Sequence, residues 1–196
     1  RLNRGAIATY TNDGMLVNWR WLATDPDDIA FNIYRDGTKL NTLPLSSRTN
    51  YLDAEGSVNS NYTVEALSAG KVVETAAALV LEKGYLNIPL DRPQGGTVQG
   101  SSYTYTPGDA SVGDVDGDGE YEIILKWDPT NQCDNGQNGS QNYTGNVYLD
   151  CYKLNGTKLW RIDLGVNIRA GAHYTQFMVY DLDGDGKAEV ACKTAP

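Results

Sequence analysis

Two short acidic stretches carry the most specific chemistry in the sequence. The first runs from Asp114 to Glu122 and the second from Asp181 to Glu189. Their matching carboxylates recur at one offset of 67 residues, from 114 to 181, 116 to 183, 118 to 185 and 122 to 189. Carboxylates placed so close together repel one another strongly unless a cation neutralises them. The pattern therefore predicts a pair of cation-binding loops.

Calcium is the cation that such loops suit best. Ca²⁺ takes about six to eight oxygen ligands in a flexible cage, and acidic residues at alternate positions of a tight turn supply them. Gly119 and Gly186 fall where the chain must turn sharply, which glycine allows without steric cost. The predicted ligands are the side chains of Asp114, Asp116, Asp118 and Glu122 with the carbonyl of Glu120, and the side chains of Asp181, Asp183, Asp185 and Glu189 with the carbonyl of Lys187. The alternative, two polar Asp-Gly turns that bind no ion, is disfavoured because two copies occur in register.

The position of the closing acid separates these loops from an EF-hand. An EF-hand closes with a glutamate at its twelfth position, but Leu125 and Cys192 stand there, and the acid comes at the ninth position instead. An apolar, partly β-branched run follows each loop, so each loop is predicted to lead into a strand. A dockerin, which also has paired calcium loops, is the helical alternative, and these flanks disfavour it.

Composition favours a soluble all-β protein. The 196 residues include 21 Gly and thirteen Tyr, and no run approaches the length of about eighteen apolar residues that a membrane span needs. The net charge of −9 is concentrated in residues 91–196, where nine of the fifteen acids belong to the two loops. Because a nucleic-acid partner needs a basic face, this balance argues against one. We expect neither nucleic-acid nor membrane binding.

The three cysteines leave their chemistry open. None sits in a CxxC pair, so the sequence does not indicate a zinc site. Cys151 and Cys192 lie in apolar strand patterns typical of buried thiols, whereas Cys133 lies in a polar loop from which a disulfide bridge could form.

Residues 1–86 are predicted to form a small β-sandwich. Alternating apolar residues in Ala30–Arg35 and in Tyr62–Leu67, with turn signals between them, are typical of that fold. We expect its core to contain the aromatic residues Trp19, Phe31, Tyr34 and Tyr62, with a sugar platform at Trp19 or Trp21 as the alternative. A tryptophan on an early strand, followed by Phe31–Gly37 and Tyr62–Val64, resembles a fibronectin type III domain.

Residues 87–196 are predicted to form the first one to two blades of a calcium-binding β-propeller. Prolines and glycines between 84 and 108 break regular structure, and we place the domain boundary near Leu86. Two alternating runs, 147–152 and 159–164, flank Asn155-Gly156, a strong short hairpin signal. Four-stranded units that repeat at a fixed period are propeller blades, and the segment 128–145 lengthens this repeat.

Five motifs occur along the whole chain in a characteristic order. They are Leu2–Gly5, Phe31–Gly37, Asp109–Gly119, Ile124–Pro129 and Ala170–Phe177. Together they resemble the bacterial rhamnogalacturonan lyases of polysaccharide lyase family 11. The resemblance implies a fibronectin-like domain joined to an eight-bladed propeller with calcium loops, a secreted bacterial protein, and the pectic polysaccharide rhamnogalacturonan I as its partner. Because that propeller needs several hundred residues, we expect a truncated chain whose catalytic residues lie beyond Pro196.

The resemblance also implies a reaction. Such lyases cut the rhamnose–galacturonate backbone by β-elimination, in which a basic side chain removes the proton at C5 of the uronate and Ca²⁺ stabilises the developing charge. One substrate-binding residue carries over, Asp128, for which the alternative is an aspartate that starts a turn before Pro129. The family also places an Asn just before the Asp-Ala-Ser stretch, but Gly108 occupies that position, so this role does not carry over.

Two further side chains could take part in chemistry. His173, the only histidine, could bind a metal or act as a base, but a hydrogen-bonded structural role is favoured. Lys126 and Lys193 share one repeat position, which indicates a structural role for both. The competing function is a non-catalytic, calcium-stabilised propeller of integrin type that binds carbohydrate or protein, and lyase activity on rhamnogalacturonan distinguishes the two.

Overall fold

A computed structural model describes residues 2–134 and 143–195 of the chain. All regular secondary structure in the described residues is β-strand, which confirms the predicted all-β class. The described residues accordingly contain no helix long and apolar enough to cross a membrane. The chain divides into two compact units, one of residues Leu2–Asn87 and one that begins at Ile88.

The first unit contains two four-stranded sheets. Its strands are β1 (Ile7–Thr11), β2 (Gly14–Asn18), β3 (Ala30–Arg35), β4 (Thr38–Lys39), β5 (Asn50–Asp53), β6 (Tyr62–Ser68), β7 (Lys71–Ala77) and β8 (Leu79–Leu81). The strand orders are β5-β2-β1-β8 in one sheet and β4-β3-β6-β7 in the other. Neighbouring strands are antiparallel except β1 and β8, which run parallel.

Both sheets of the first unit bury apolar side chains in one core. Met15 of β2 and Val64 of β6 are fully buried within it, because alternate side chains of a strand point to the same face. Trp19, Phe31 and Tyr62 are also buried, as predicted. The predicted core position of Tyr34 is wrong. It lies one residue after Ile33, on the other face of β3, where its half-exposed side chain donates a hydrogen bond of 2.7 Å to Glu65 Oε2.

The second unit contains one four-stranded sheet and two hairpins. Its strands are β9 (Gly96–Val98), β10 (Ser101–Tyr103), β11 (Tyr105–Gly113), β12 (Glu122–Pro129), β13 (Tyr148–Tyr152), β14 (Lys158–Asp163), β15 (Phe177–Tyr180) and β16 (Glu189–Cys192). The sheet is the antiparallel meander β11-β12-β13-β14, and the hairpins are β9-β10 and β15-β16.

The interpretation of residues 84–108 as an irregular junction was wrong in part. The hairpin β9-β10 and the start of β11 lie inside this segment. Pro107 is tolerated within β11 because β11 is the edge strand of its sheet and the register shifts between Pro107 and Ala110. Proline therefore marks a strand irregularity here and not the absence of a strand.

The sequence repeat is also a structural repeat. In the first copy Ala110 pairs with Leu125, and 67 residues later Phe177 pairs with Cys192. The strands β12 and β16 both begin at the closing acid of the preceding loop, as the apolar flanks predict. The two copies also touch, because a Cβ atom on Gly113 would lie 2.7 Å from the Cβ of Ala188. A side chain at position 113 is therefore incompatible with this packing.

All three cysteines are free thiols. Cys151 is buried in β13, as predicted, and Cys192 is half-buried in β16. Cys133 is buried although its surroundings in the sequence are polar. Its backbone N–H donates to the carbonyl of Ala170 at 3.1 Å, and this bond holds it under the segment that leads to β15.

Candidate metal centre

The first acidic loop folds around the carboxylate of Asp114. Its Oδ1 accepts the N–H of Gly117 at 2.7 Å, and its Oδ2 accepts the N–H of Gly119 at 3.0 Å. Both glycines adopt positive φ values, 80° and 93°, which residues with a side chain rarely tolerate. The loop closes when Glu122 Oε2 accepts the N–H of Val115 at 2.9 Å.

The second loop repeats this geometry around Asp181. The corresponding bonds come from Gly184 at 2.8 Å and Gly186 at 3.0 Å, and Glu189 Oε2 accepts the N–H of Leu182 at 2.7 Å. The φ values of the two glycines are 79° and 93°. Two segments with different intervening residues thus adopt one hydrogen-bonded turn, and the shared acids and glycines explain why.

Three carboxylates converge in each loop. Side-chain oxygens of Asp114, Asp116 and Glu122 all lie within 4.8 Å of one another, and so do those of the matching residues in the second loop, Asp181, Asp183 and Glu189. The first cluster is the more enclosed, since Asp114 and Glu122 are buried whereas all three acids of the second retain exposure. Six of the predicted side-chain ligands are therefore brought together, three in each loop.

The remaining predicted ligands lie outside these two clusters. Asp118 Oδ1 accepts the N–H of Glu120 at 2.8 Å, and Asp185 Oδ1 accepts the N–H of Lys187 at 2.8 Å. The other oxygen of Asp118, Oδ2, lies 2.7 Å from the ammonium of Lys153. These bonds help to fix the turns that contain Glu120 and Lys187.

A cation already contacts the first loop in the form of Lys153. Its Nζ lies 2.6 Å from Asp116 Oδ2 as well as 2.7 Å from Asp118 Oδ2. This ammonium, together with the N–H of Glu120, holds the pKa of Asp118 below its usual range, and the two carboxylates raise the pKa of Lys153. Lys153 follows β13 and is distant in sequence, so the loop motif alone could not identify it.

The surroundings of Glu122 favour a bound cation. Burial raises its pKa, and the charges of Asp116 and Asp118 raise it further, against a lowering by the N–H of Val115. A buried carboxylate among like charges is stabilised by a bound cation. The donors are oxygen atoms only, which suits a hard cation such as Ca²⁺ and not zinc or copper. The residues present therefore fit the predicted metal.

Asp128 lies inside β12, opposite Thr106, and not at the start of a turn. Its side chain is buried, and its Oδ1 has no hydrogen-bond partner within the described residues. The buried ammonium of Lys126 lies 3.7 Å from that oxygen and 2.7 Å from Asp109 Oδ2. Burial raises the pKa of Asp128, and the nearby Asp109 adds to the effect although Lys126 opposes it.

The absence of a side chain at position 108 makes room for Asp128. A Cβ atom on Gly108 would overlap with Asp128 Oδ2. The carboxylate therefore packs directly over the backbone of β11, close to the register shift in that strand. The geometry leaves one buried oxygen able to accept a hydrogen bond from a ligand.

A second buried carboxylate, Asp150, was not identified from the sequence. Its Oδ2 accepts bonds from Trp127 Nε1 at 2.8 Å and from the hydroxyl of Tyr152 at 2.6 Å, and Arg161 donates to both of its oxygens at 2.7 Å. Arg161 also donates to the carbonyl of Asp91. The network thus fastens the segment before β9 to the central sheet. The pairing of β13 with β14 places Asp150 opposite Arg161, and the local sequence pattern does not specify this register.

His173 belongs to neither carboxylate cluster. Its Nδ1 lies 2.5 Å from Asp134 Oδ2, and its side chain is 83% exposed. The hydrogen bond to His173 lowers the pKa of Asp134. This arrangement agrees with the hydrogen-bonded role that the sequence favours.

Comparison with known proteins places both units in one family of enzymes. The family described as "Rhamnogalacturonan lyase family 11, C-terminal domain" matches residues 85–196. The description "Rhamnogalacturonan I lyases beta-sheet domain" matches residues 1–80. Each match covers most of one of the two compact units.

Two curated relatives from Bacillus subtilis (strain 168) match almost the whole chain. Rhamnogalacturonan endolyase YesW is 60% identical and rhamnogalacturonan exolyase YesX is 56% identical, each over 99% of this chain. The match covers only 31% and 32% of those relatives, so the chain spans about a third of their length.

Solved structures agree with the sequence comparison. A crystal structure of rhamnogalacturonan lyase YesW superimposes with a TM-score of 0.92 at 60% identity, over 100% of this chain and 33% of that one. A rhamnogalacturonan lyase PL11 from Bacillus licheniformis gives a TM-score of 0.92 at 57% identity, over 99% of this chain and 33% of that one.

Proposed function

We propose, because this chain belongs to family 11 of the rhamnogalacturonan lyases, that the protein carrying it cleaves the rhamnose–galacturonate backbone of pectin by β-elimination. The observation that carries this proposal is the family match over residues 85–196, in the unit that holds both carboxylate clusters. The substrate we propose is the pectic polysaccharide rhamnogalacturonan I. The relatives named endolyase and exolyase are similarly close, and we propose the endolytic type, whose relative has the higher identity.

For the first unit, residues 1–86, we propose a fibronectin type III-like β-sandwich. Two sheets of orders β5-β2-β1-β8 and β4-β3-β6-β7 around one core support this assignment. The short β4 pairs with β3 at the edge of the second sheet.

For residues 87–196 we propose the first one to two blades of a β-propeller. A four-stranded meander followed by a hairpin of identical register supports the assignment, because blades are four-stranded units that repeat. Gly113 lets the hairpin pack closely against the meander. The hydrophobic core that joins Leu149 to Phe177 is continuous with this packing.

We propose that each acidic loop holds one Ca²⁺ ion. Calcium bound in the loops would neutralise the converging carboxylates. Calcium bound to the uronate of the substrate would stabilise the negative charge that develops there during the reaction. The side chains of Asp114, Asp116 and Glu122 would bind the first ion, with Asp118 and the carbonyl of Glu120 at the rim. The residues Asp181, Asp183, Asp185, Lys187 and Glu189 would serve the second ion in the same way.

Within this chain we propose that Asp128 binds the sugar chain. Its buried Oδ1 lacks a hydrogen-bond partner among the described residues, and buried acceptors are nearly always satisfied in native proteins. A sugar hydroxyl would donate to this oxygen, and Lys126 and the backbone of Gly108 would hold the carboxylate in position. We further propose that the protein is secreted, because its polymeric substrate lies outside the cell.

The proposed activity is tested with the full-length protein and rhamnogalacturonan I. β-Elimination leaves an unsaturated uronate, so ultraviolet absorbance should rise with time, and calcium chelation should reduce the rate. An early fall in polymer length identifies endolytic cleavage, whereas release of short products from long chains identifies the exolytic type. Binding of the polymer without new absorbance would overturn the proposal in favour of a non-catalytic binding propeller.

A further inference from the structure

The two acidic loops are joined by a hydrogen bond between their backbones. The N–H of Ala188, next to the closing acid of the second loop, donates to the carbonyl of Asp114 at 2.7 Å. Asp114 is the first residue of the first loop and the carboxylate around which that loop folds. The loops are therefore in direct contact although a whole sequence repeat separates them.

Side-chain packing on both sides of this bond supports the same contact. A Cβ atom on Gly113 would lie 2.7 Å from the Cβ of Ala188 and 2.7 Å from Val179 Cγ1. A Cβ atom on Gly117 would lie 3.0 Å from Lys187 Cε. All these distances are shorter than an ordinary contact between carbon atoms. Two consecutive residues of the second loop thus pack against the start and the turn of the first, and neither loop can move without disturbing the other.

The peptide group between Lys187 and Ala188 belongs to both proposed ion sites. Its C=O is the carbonyl ligand proposed for the second ion, and its N–H donates to the carbonyl of Asp114. A cation at an amide oxygen polarises the amide and strengthens the hydrogen bond that its N–H donates. The side chain of Asp114 is in turn a proposed ligand of the first ion. Each ion would therefore fix one partner of the bond that joins the loops.

Two effects of opposite sign act between such sites. Repulsion between two divalent cations opposes filling both loops, but the carboxylates of each loop offset the charge of its own ion. All three converging acids of the second loop retain exposure, and salt at physiological concentration screens exposed charges beyond about 8 Å. In the other direction, a loop that its neighbour has already ordered loses less conformational entropy when it binds its own ion. Because the loops touch, ordering is the larger effect.

We propose that the two loops bind calcium with positive cooperativity, through the contact of Lys187 and Ala188 with the first loop. The identity of the ion rests on the proposed function, whereas the contact between the loops rests on the structure alone. The meander β11-β14 and the hairpin β15-β16 then become ordered together over one range of calcium concentration. Ala188 takes part through its backbone, so the loop motif alone does not reveal the coupling.

Hydrogen exchange of the full-length protein at buffered calcium concentrations tests the coupling, because mass spectrometry follows peptides from each loop separately. In the wild-type protein, calcium should protect both loops over the same concentration range. Asp116→Asn weakens the first site and can still accept the N–H of Asp118; it should raise the calcium concentration that protects the second loop about tenfold, within the range typical of coupled sites. Asp183→Asn should raise that of the first loop by the same factor, since coupling is reciprocal. Asp13→Asn, at an exposed turn of the first unit, is the matched control and should change neither.

Gly113→Ala tests the route of the coupling without altering a proposed ligand. The added methyl group would displace Ala188 and weaken its bond to Asp114. In this background Asp116→Asn should shift the protection of the second loop by less than about twofold, whereas typical coupling exceeds about fivefold. Added salt should not reduce the coupling in the wild-type protein, because salt screens only the repulsion. Urea unfolding verifies that Gly113→Ala folds.

The outcomes separate the coupling from the ion sites themselves. If Asp116→Asn left the protection of the second loop unchanged, or moved it to lower calcium concentration, the inference would be overturned and two independent ion sites would stand. Coupling that survived in Gly113→Ala would overturn the assigned route. Wild-type loops that calcium did not protect would overturn the proposed ion sites, and the inference with them.

Discussion

Replacement of Asp150 by alanine tests whether one buried carboxylate stabilises the second unit. The side chain is completely buried and accepts hydrogen bonds from Trp127, Tyr152 and Arg161. Through Arg161 the network reaches the backbone of Asp91. Asp150→Ala would leave three donors without their acceptor and would release the segment before β9.

The expected loss can be worked out from this geometry. Removing one partner of a buried charge pair costs about 3–5 kcal/mol. The Arg161 side chain is 23% exposed and can recover part of its hydration, so we expect the lower part of that range, about 3 kcal/mol in the free energy of unfolding. Since whole domains are stable by about 5–15 kcal/mol, this loss is a large fraction of the total.

Urea unfolding followed by tryptophan fluorescence measures the effect, because Trp127, one of the four tryptophans of the chain, lies in this network. Asp91→Asn is the matched control, since it changes a carboxylate that is 61% exposed at the far end of the network. An exposed ion pair contributes at most about 1 kcal/mol, so the control should stay close to wild type. A loss below about 1 kcal/mol for Asp150→Ala would refute the role assigned to the network.

Three further outcomes follow from the structure. Burial raises the pKa of Asp150, but hydrogen bonds from Arg161 and its other partners outweigh this and hold the pKa below its usual value. The stabilisation that the Asp150 carboxylate provides is therefore present above its unfolded pKa of about 3.9 and is lost as pH falls through its folded pKa. In urea titrations, the free energy of unfolding should fall less on acidification for Asp150→Asn than for wild type. Calcium at about a hundredfold excess over Kd should stabilise the protein by about 2.7 kcal/mol for each occupied site, relative to chelator. Lys153→Met should enlarge this calorimetric shift because it removes an ammonium 2.6 Å from Asp116 Oδ2. Identical melting with and without calcium would contradict the ion sites. Gly113→Val should destabilise the second unit by about 1–3 kcal/mol through overpacking against Ala188. Unchanged thermal unfolding would show that the hairpin β15-β16 does not pack against β11 as described.

The features that sequence predicted best are those encoded locally. The two acidic loops fold as predicted because their own glycines and carboxylates close the turn, and the strands that begin at Glu122 and Glu189 follow from the apolar residues after them. The strand Ala30–Arg35 was predicted to the residue because its alternation is uninterrupted. The prediction for Tyr34 was wrong because of the same periodicity, since the residue that follows the buried Ile33 lies on the opposite face of β3.

The features that sequence missed depend on contacts between distant segments. Asp150 alternates within an ordinary strand pattern, and only the register of β13 with β14 places Arg161 opposite it. Lys153 reaches the first acidic loop across 35 residues from Asp118. Nothing in the local pattern of either residue specifies its partner. Ion pairs between strands therefore require the fold before they can be assigned.

The internal repeat shows that two residues at the same repeat position can differ in their ion pairing. Lys126 and Lys193 share a repeat position and the same hairpin register, from which one structural role was predicted for both. That prediction holds for Lys126, which is buried and paired, but the exposed Lys193 has no such pair among the described residues. The difference lies in the partners, since Asp109 and Asp128 correspond to Gln176 and Ala195. A backbone position shared by the two repeats thus fixes where a side chain begins, while the charged residues around it decide whether it forms an ion pair.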